Sequence, residues 1–281
     1  MDFLTETRIP VGPYIKQGVD WLTLNASGVF DGIAAVLEAV IGALLFVLAT
    51  PHPLIIVAAF GLLALWLRRS IPLAVFTVLA LLFIINQGYW DQTTKTLALV
   101  LASATVCMVI GVPLGIAAAR RPWLMSAMRP VLDLMQTIPT FVYLIPTLVL
   151  FGLGMVPGLI ATVIFALPAP IRLTHLGVSS TPTALVEAAD SFGATPWQRL
   201  VKVEIPYAMP QILAGLTQTI MLSLSMVVIA ALVGADGLGV PVLRALNSVN
   251  IAMGFNAGLA IVLIAIILDR LCRADERSTG R

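Results

Sequence analysis

The chain has 281 residues, of which 59% are hydrophobic and 11% charged, with a mean hydropathy of +1.02. Soluble domains carry roughly a quarter charged residues, so this composition excludes a soluble globular protein and predicts an all-α integral membrane protein. The formal net charge of +2 comes without a basic patch that would suit nucleic acid, and no GxxxxGK[ST] run is present for ATP hydrolysis by a P-loop.

Residues 1–52 are expected to form an extracytoplasmic or interfacial segment. Tyr14, Trp21 and Phe30 stand among Lys16, Asp20 and Asp31, a mixture suited to the headgroup layer. No basic region leads directly into an apolar run, so a cleavable signal peptide is not expected. Ile33–Ala49 is apolar, but it is short for a crossing and carries Glu38. It reads as an interfacial helix, with a first membrane span as the alternative.

Clearer spans come next, at Pro53–Leu67, Ile71–Ile85, Leu97–Ala119, about Val131–Leu153, Met155 to about Leu173, Ala208–Val233 and about Ala257–Leu271, seven in all or eight with Ile33–Ala49. Asn86–Thr94 is expected to be a polar turn. If the spans alternate, Arg68, Arg69, Arg120, Arg121, Arg129, Arg172, Arg199, Lys202, Arg270, Arg273 and Arg277 fall on one side, against Lys95 and Arg244 on the other. The positive-inside rule makes the first side cytoplasmic, with residues 272–281 as a cytoplasmic tail. Seven spans then put the N-terminus outside, where residues 1–52 carry five carboxylates against Arg8 and Lys16.

Polar groups within the spans are few. Asp133 lies four residues after Arg129 and shares a helix face with it, as a gating pair or as mutual neutralisation at the membrane edge. Gln136, Thr137, Pro139, Thr140 and Tyr143 form the richest polar group in any span. Broken helices are tolerated where they line a cavity, so this span is a candidate translocation path, or else a packed kink. His175 follows Arg172 at the cytoplasmic end of a span and reads as a pH sensor or as an interfacial side chain, and Asp91 with Lys95 reads as an ion pair at the outer edge. Gly234–Gly239 follows a helix, not a strand, and reads as a tight outer loop. Cys107 and Cys272 are too far apart along the spans to pair. No catalytic constellation or metal-ligand spacing occurs.

The longest polar interval in the second half is Thr181–Pro206. Thr181-Pro182 reads as an N-cap with proline at the first helical position, and Gly193 as a helix stop. Thr195-Pro196 repeats the cap signal and opens a second short helix, and Pro206 marks the return into the membrane. A loop specified this closely suggests a docking surface.

Glu187-Ala188-Ala189, three residues, Gly193, nine residues and Val203-Glu204-Ile205-Pro206 resemble the EAA loop of ABC importer permeases. The pattern there is E-A-A, x3, G, x9, I-x-L-P, here with Val for Ile and Ile for Leu. The runs 96–116, 130–154, 156–177, 212–239 and 261–270 are similar to permease subunits of glycine betaine, proline betaine and choline ABC importers. The resemblance implies a type I importer transmembrane domain over 53–271, with 181–206 as a cytoplasmic coupling loop. Glu187, Ala188, Ala189, Gly193, Val203 and Pro206 would then seat on an ABC ATPase subunit. It also implies an extracytoplasmic substrate-binding protein, a second copy of this chain, a bacterial plasma (inner) membrane, and ATP and Mg held by the ATPase, with no cofactor on this chain. A betaine is a zwitterion best held by aromatic rings. At 7% aromatic this chain offers no evident cage, so the cage is expected on the binding protein. The alternatives are a permease for another small solute, such as an amino acid or sulfonate, or a channel or scaffold that uses no ATP.

Overall fold

A computed structural model describes residues 10–273, and every regular element among them is helical. Expectations for Arg8 at the N-terminal end, and for Arg277 and the rest of the tail beyond Arg273, lie outside the described residues. The helices are α1 (Val11–Asn25), α2 (Ser27–Ala49), α3 (Pro53–Arg68), α4 (Ile71–Asn86), α5 (Trp90–Arg120), α6 (Pro122–Thr137), α7 (Thr140–Phe151), α8 (Met155–Ala166), α9 (Pro168–Ser179), α10 (Thr183–Ser191), α11 (Pro196–Arg199), α12 (Ile205–Ala231), α13 (Gly239–Asn247) and α14 (Ile251–Cys272). A π-helical turn, Leu200–Glu204, joins α11 to α12.

Small residues bring the central helices together. A Cβ on Gly111 of α5 would lie 2.8 Å from Pro170 Cγ, and one on Gly115 would lie 2.7 Å from the Ile171 carbonyl oxygen, both on α9. Across the other side of α9, a Cβ on Gly215 of α12 would lie 3.2 Å from Pro170 Cα. In a lipid setting apolar side chains gain little by meeting one another, so such close backbone contact supplies the packing. Leu81, Ile84, Leu97, Val100, Ile220 and Ile264 extend this core across α4, α5, α12 and α14.

The bundle has two distinguishable ends. At one, the Arg68 side chain on α3 donates to the carbonyls of Arg270, at 2.7 Å, and of Arg273 beyond α14. Arg120 ends α5 at this same end, where α9 runs into the Thr181–Pro206 interval. At the other end, Lys95 meets Asp91 at 3.0 Å and Asp236 at 3.3 Å. The expected edge pair is therefore present, with Asp236 as a second partner. Leu238 N–H also donates to Thr96 Oγ1 at 2.8 Å, which fastens the tight Gly234–Gly239 turn onto α5.

Several spans differ from their expected form. The polar turn after α4 shrinks to Gln87–Tyr89, because α5 already starts at Trp90. Val131–Leu153 is not one span: α6 and α7 meet at 94°. Pro139 disfavours helical backbone in the residue before it, and Ile138 is extended at φ −65° and ψ 129°. α8 and α9 continue past Leu173 to Ser179. The last span begins at Ile251, preceded by α13, a short helix not foreseen.

Among the described residues five helices are long and apolar enough to cross a membrane, or six if the bent α6–α7 pair counts as one crossing. α2 is among them at 23 residues, longer than Ile33–Ala49 because it starts at Ser27. α3 and α4, with 16 residues each, reach only about 24 Å. α2 packs along α5, α7 and α8. The Phe30 ring stands edge-on to Phe151, 5.5 Å between centroids. Leu37 and Ile41 pack with Leu99, Val156, Leu159 and Ala235. Glu38, Ile41 and Leu45 line a cavity of about 300 Å³ against Phe151, Gly154 and Pro157.

Candidate functional site

The Thr181–Pro206 interval is built from local rules. α10 ends in a Schellman arrangement: Ala194 N–H reaches Ala189 C=O at 3.1 Å and Gly193 N–H reaches Asp190 C=O at 2.9 Å. This closure needs left-handed backbone at Gly193, whose φ is +75°. The glycine stop is therefore real. A Cβ there would meet nothing within 4 Å, so the constraint is on the backbone and not on space. Thr195 caps the next helix through a full capping box with Gln198, and Pro196 follows at the first helical position.

Two expectations need correction. Thr181 does not cap α10: Pro182 occupies the cap position, and the buried Thr181 Oγ1 has no hydrogen-bond partner. Proline at that position fixes the chain direction without a side-chain cap. Nor does the chain turn at Pro206. Pro196–Ala231 is a continuous 36-residue helical run, and Pro206 lies in its course. Proline would clash with the carbonyl four residues back in a regular α-helix. The π turn at Leu200–Glu204 lies directly before it, where widened backbone relieves that conflict.

Glu187 and Ala188 are exposed, Ala189 and Val203 half-buried, and Gly193 and Pro206 exposed. Beside them, Leu185, Phe192 and Trp197 are exposed at 46%, 93% and 69%. A capped, stiff segment thus presents an apolar, small-residue surface at one end of the bundle.

A ladder of charged groups holds this segment from below. Glu204, on the π turn, places one carboxylate oxygen 3.2 Å from Arg120 Nη2 and the other 3.0 Å from Arg199 Nε. Arg199 Nη1 also donates to Asp190 of α10, at 3.0 Å. Arg120 Nη2 further donates to the Pro196 carbonyl at 3.0 Å. Sequence reasoning missed this ladder. Asp190, Arg199 and Glu204 alternate in sign within one loop, which was a usable signal. Arg120 is 84 residues from Glu204, and nothing local pointed to it.

The second candidate group is less united. Gln136 and Thr137 close α6, Pro139 sits in the bend, and Thr140 and Tyr143 open α7. Gln136, Thr140 and Tyr143 are half-buried, while Thr137 and Pro139 are exposed, and Tyr143 Oη is buried without a hydrogen-bond partner. Asp133 pairs with Arg172 of α9 and not with Arg129. The partner comes from another helix because α6 packs beside α9, where Met125 and Leu132 meet Ile171.

Residues 111–279 match the family of binding-protein-dependent transport system inner membrane components. The chain is 46% identical over 276 residues to the glycine betaine transport system permease protein of Bacillus subtilis (strain 168), covering 97% of this chain and 98% of that one. It is 48% identical to the glycine betaine/carnitine transport permease protein of Listeria monocytogenes, over 96% of each chain. It is 45% identical to the glycine betaine/proline betaine transport system permease protein of Escherichia coli (strain K12), over 100% of this chain and 80% of that one. Among solved structures, an inward-facing conformation of a methionine ABC transporter superposes with a TM-score of 0.58 at 25% identity, covering 66% of this chain and 94% of that chain.

Proposed function

We infer the function of this chain from its membership: it belongs to the family of binding-protein-dependent transport system inner membrane components. It is a multi-pass membrane protein and the permease subunit of an ABC importer for quaternary-amine compatible solutes such as glycine betaine. The observation that carries this conclusion is the end-to-end correspondence with betaine permeases, at 46% identity over 97% of the chain. A channel or scaffold that uses no ATP has no need of a stiff, capped loop with an exposed apolar face.

The finer assignments are proposals. The 181–206 segment is the coupling loop, and its surface at Leu185, Glu187, Ala188, Phe192 and Trp197 docks on a separate ATPase subunit that holds ATP and Mg. Exposed apolar side chains on a rigid segment support this, because a surface apolar patch rimmed by polar residues is characteristic of a partner site. An extracytoplasmic binding protein delivers the solute and carries the aromatic cage. A second copy of this chain completes the path, because one bundle offers only one wall. Gln136, Thr137, Pro139, Thr140 and Tyr143 line that wall, where the 94° break frees backbone groups to face a polar route. A purified complex whose mass holds a single copy of this chain would contradict the dimer.

The end that holds Arg68, Arg120 and Arg270 is cytoplasmic, which the clustering of basic residues supports. Residues 1–52 stay outside, and α2 lies along the outer membrane interface. Its contacts from Phe30 to Leu45 with the Phe151–Pro157 region support this over a crossing. Ser27 and Thr50, exposed at the two ends of α2, are good cysteine positions for an impermeant maleimide. Both should label in intact cells. Labelling of Ser27→Cys only after lysis would make α2 a span.

Transport itself is tested by uptake of radiolabelled glycine betaine into proteoliposomes holding this chain, its ATPase and its binding protein. Uptake should require ATP and all three proteins. Uptake without ATP would favour the channel.

A further inference from the structure

Glu204 fills the unspecified position in Val203-Glu204-Ile205-Pro206, yet it is among the few buried charged residues of the molecule, its side chain only 9% exposed. Both of its oxygens are engaged, one by the last residue of α5 and the other by α11. Arg199 carries the connection on to Asp190, three residues beyond Glu187 on α10. Arg120 also grips the Pro196 carbonyl, so α5 holds both ends of the α11–π segment. The π turn decides the direction of Glu204. One extra residue in a helical turn rotates the residues beyond it by about 100°, so regular α-helix would point this carboxylate elsewhere.

We propose that Glu204 is a positioning residue that joins the coupling loop rigidly to α5. The ladder Arg120–Glu204–Arg199–Asp190 passes a displacement of the docking face to α5 before the loop can absorb it by bending. The close contacts of Gly111 and Gly115 with Pro170 and Ile171 pass it on to α9. A buried carboxylate between two guanidiniums cannot swing away without leaving charges unpaired, which makes the link stiff. The proposal rests on the assignment of 181–206 as the coupling loop.

The test is made on the reconstituted complex of this chain, its ATPase and its binding protein, by measuring glycine betaine transported per ATP hydrolysed. Glu204→Gln should keep the ATPase bound but lower that ratio on the order of tenfold, within the range of ordinary coupling between sites. Adding Arg120→Met to Glu204→Gln should lower the ratio little further, because either change alone already cuts the link between α5 and the loop. Recovery in the double variant would mean that Glu204 only neutralises charge, and would overturn the proposal. Should Glu204→Gln fail to assemble, Arg120→Lys keeps the charge and loses the planar Nη2 amino group that donates to both Glu204 and Pro196, and it should lower the ratio a few-fold on its own. An unchanged ratio in the assembled variants would overturn the proposal. So would loss of the ATPase from the complex with a normal ratio in the complexes that remain. A wild-type complex that takes up no glycine betaine, or that hydrolyses no ATP, would instead overturn the transport function and this proposal with it.

Discussion

Helix α5 is fastened by ion pairs at both ends, and the two ends differ in burial. At Lys95 the partner carboxylates, Asp91 and Asp236, are 67% and 63% exposed. At Arg120 the partner, Glu204, is 9% exposed and shared with Arg199. Exposed pairs are worth roughly 0–1 kcal/mol, whereas removing one partner from a buried pair costs about 3–5 kcal/mol. Similar pairing distances therefore have different consequences. The Lys95 end trims a loop against a helix. The Arg120 end determines where the Thr181–Pro206 segment sits.

Substitutions can sharpen or break this contrast, beginning with one that should destroy both ends. Gly115→Val should abolish the folded bundle, because its Cβ would lie 2.7 Å from the Ile171 carbonyl oxygen and 2.7 Å from Thr174 Cβ. Detergent-soluble, monodisperse protein should be lost, and normal recovery would show that α5 and α9 can separate freely.

Gly193→Val should be next in size and confined to the Arg120 end. A β-branched residue at φ +75° carries strain of about 1–3 kcal/mol, or else extends α10 and swings Glu187 and Ala188 away. Insertion and recovery should stay normal while glycine betaine uptake is lost. Asn25→Ala, far from this loop, serves as the control for general damage.

The direct contrast between the ends comes third. Arg199→Met removes a guanidinium shared by Glu204 and Asp190, and uptake should fall several-fold or more, as expected when a buried charge loses a partner. Asp236→Asn removes an exposed carboxylate at the opposite end, and uptake and thermal stability should change by less than about 1 kcal/mol equivalent. Equal effects from the two variants would erase the distinction between the two ends.

The sequence disclosed those parts that depend on near neighbours. Thr195, Pro196 and Gln198 specify a capping box within four positions, and Gly193 announces a helix end because few other residues tolerate its backbone. What it concealed depends on distance or on packing. Asp133 chose Arg172, 39 residues away, over Arg129 on its own helix. Pro139 signalled a break, but the 94° angle comes from how α6 and α7 pack on α8, α9 and α12. The apolar length of Ser27–Ala49 suits a crossing and an interfacial helix equally. Nothing in its local sequence separates the two. Pro206 looked like a turn because proline is unfavourable inside a helix, and the π turn ahead of it has no sequence signal we recognise.

The central claim is that Thr181–Pro206 is the surface on which the ATPase docks. Ala188 gives the cleanest access to it, because it is exposed where Ala189 is half-buried in its own chain. The deciding measurement is retention of the ATPase subunit on affinity-purified Ala188→Leu complex, at matched expression of this chain. The added bulk should hold the two surfaces apart, so that the chain is recovered folded and in normal amount with its ATPase largely lost. Full retention of the ATPase by Ala188→Leu, with normal glycine betaine uptake, would contradict the account.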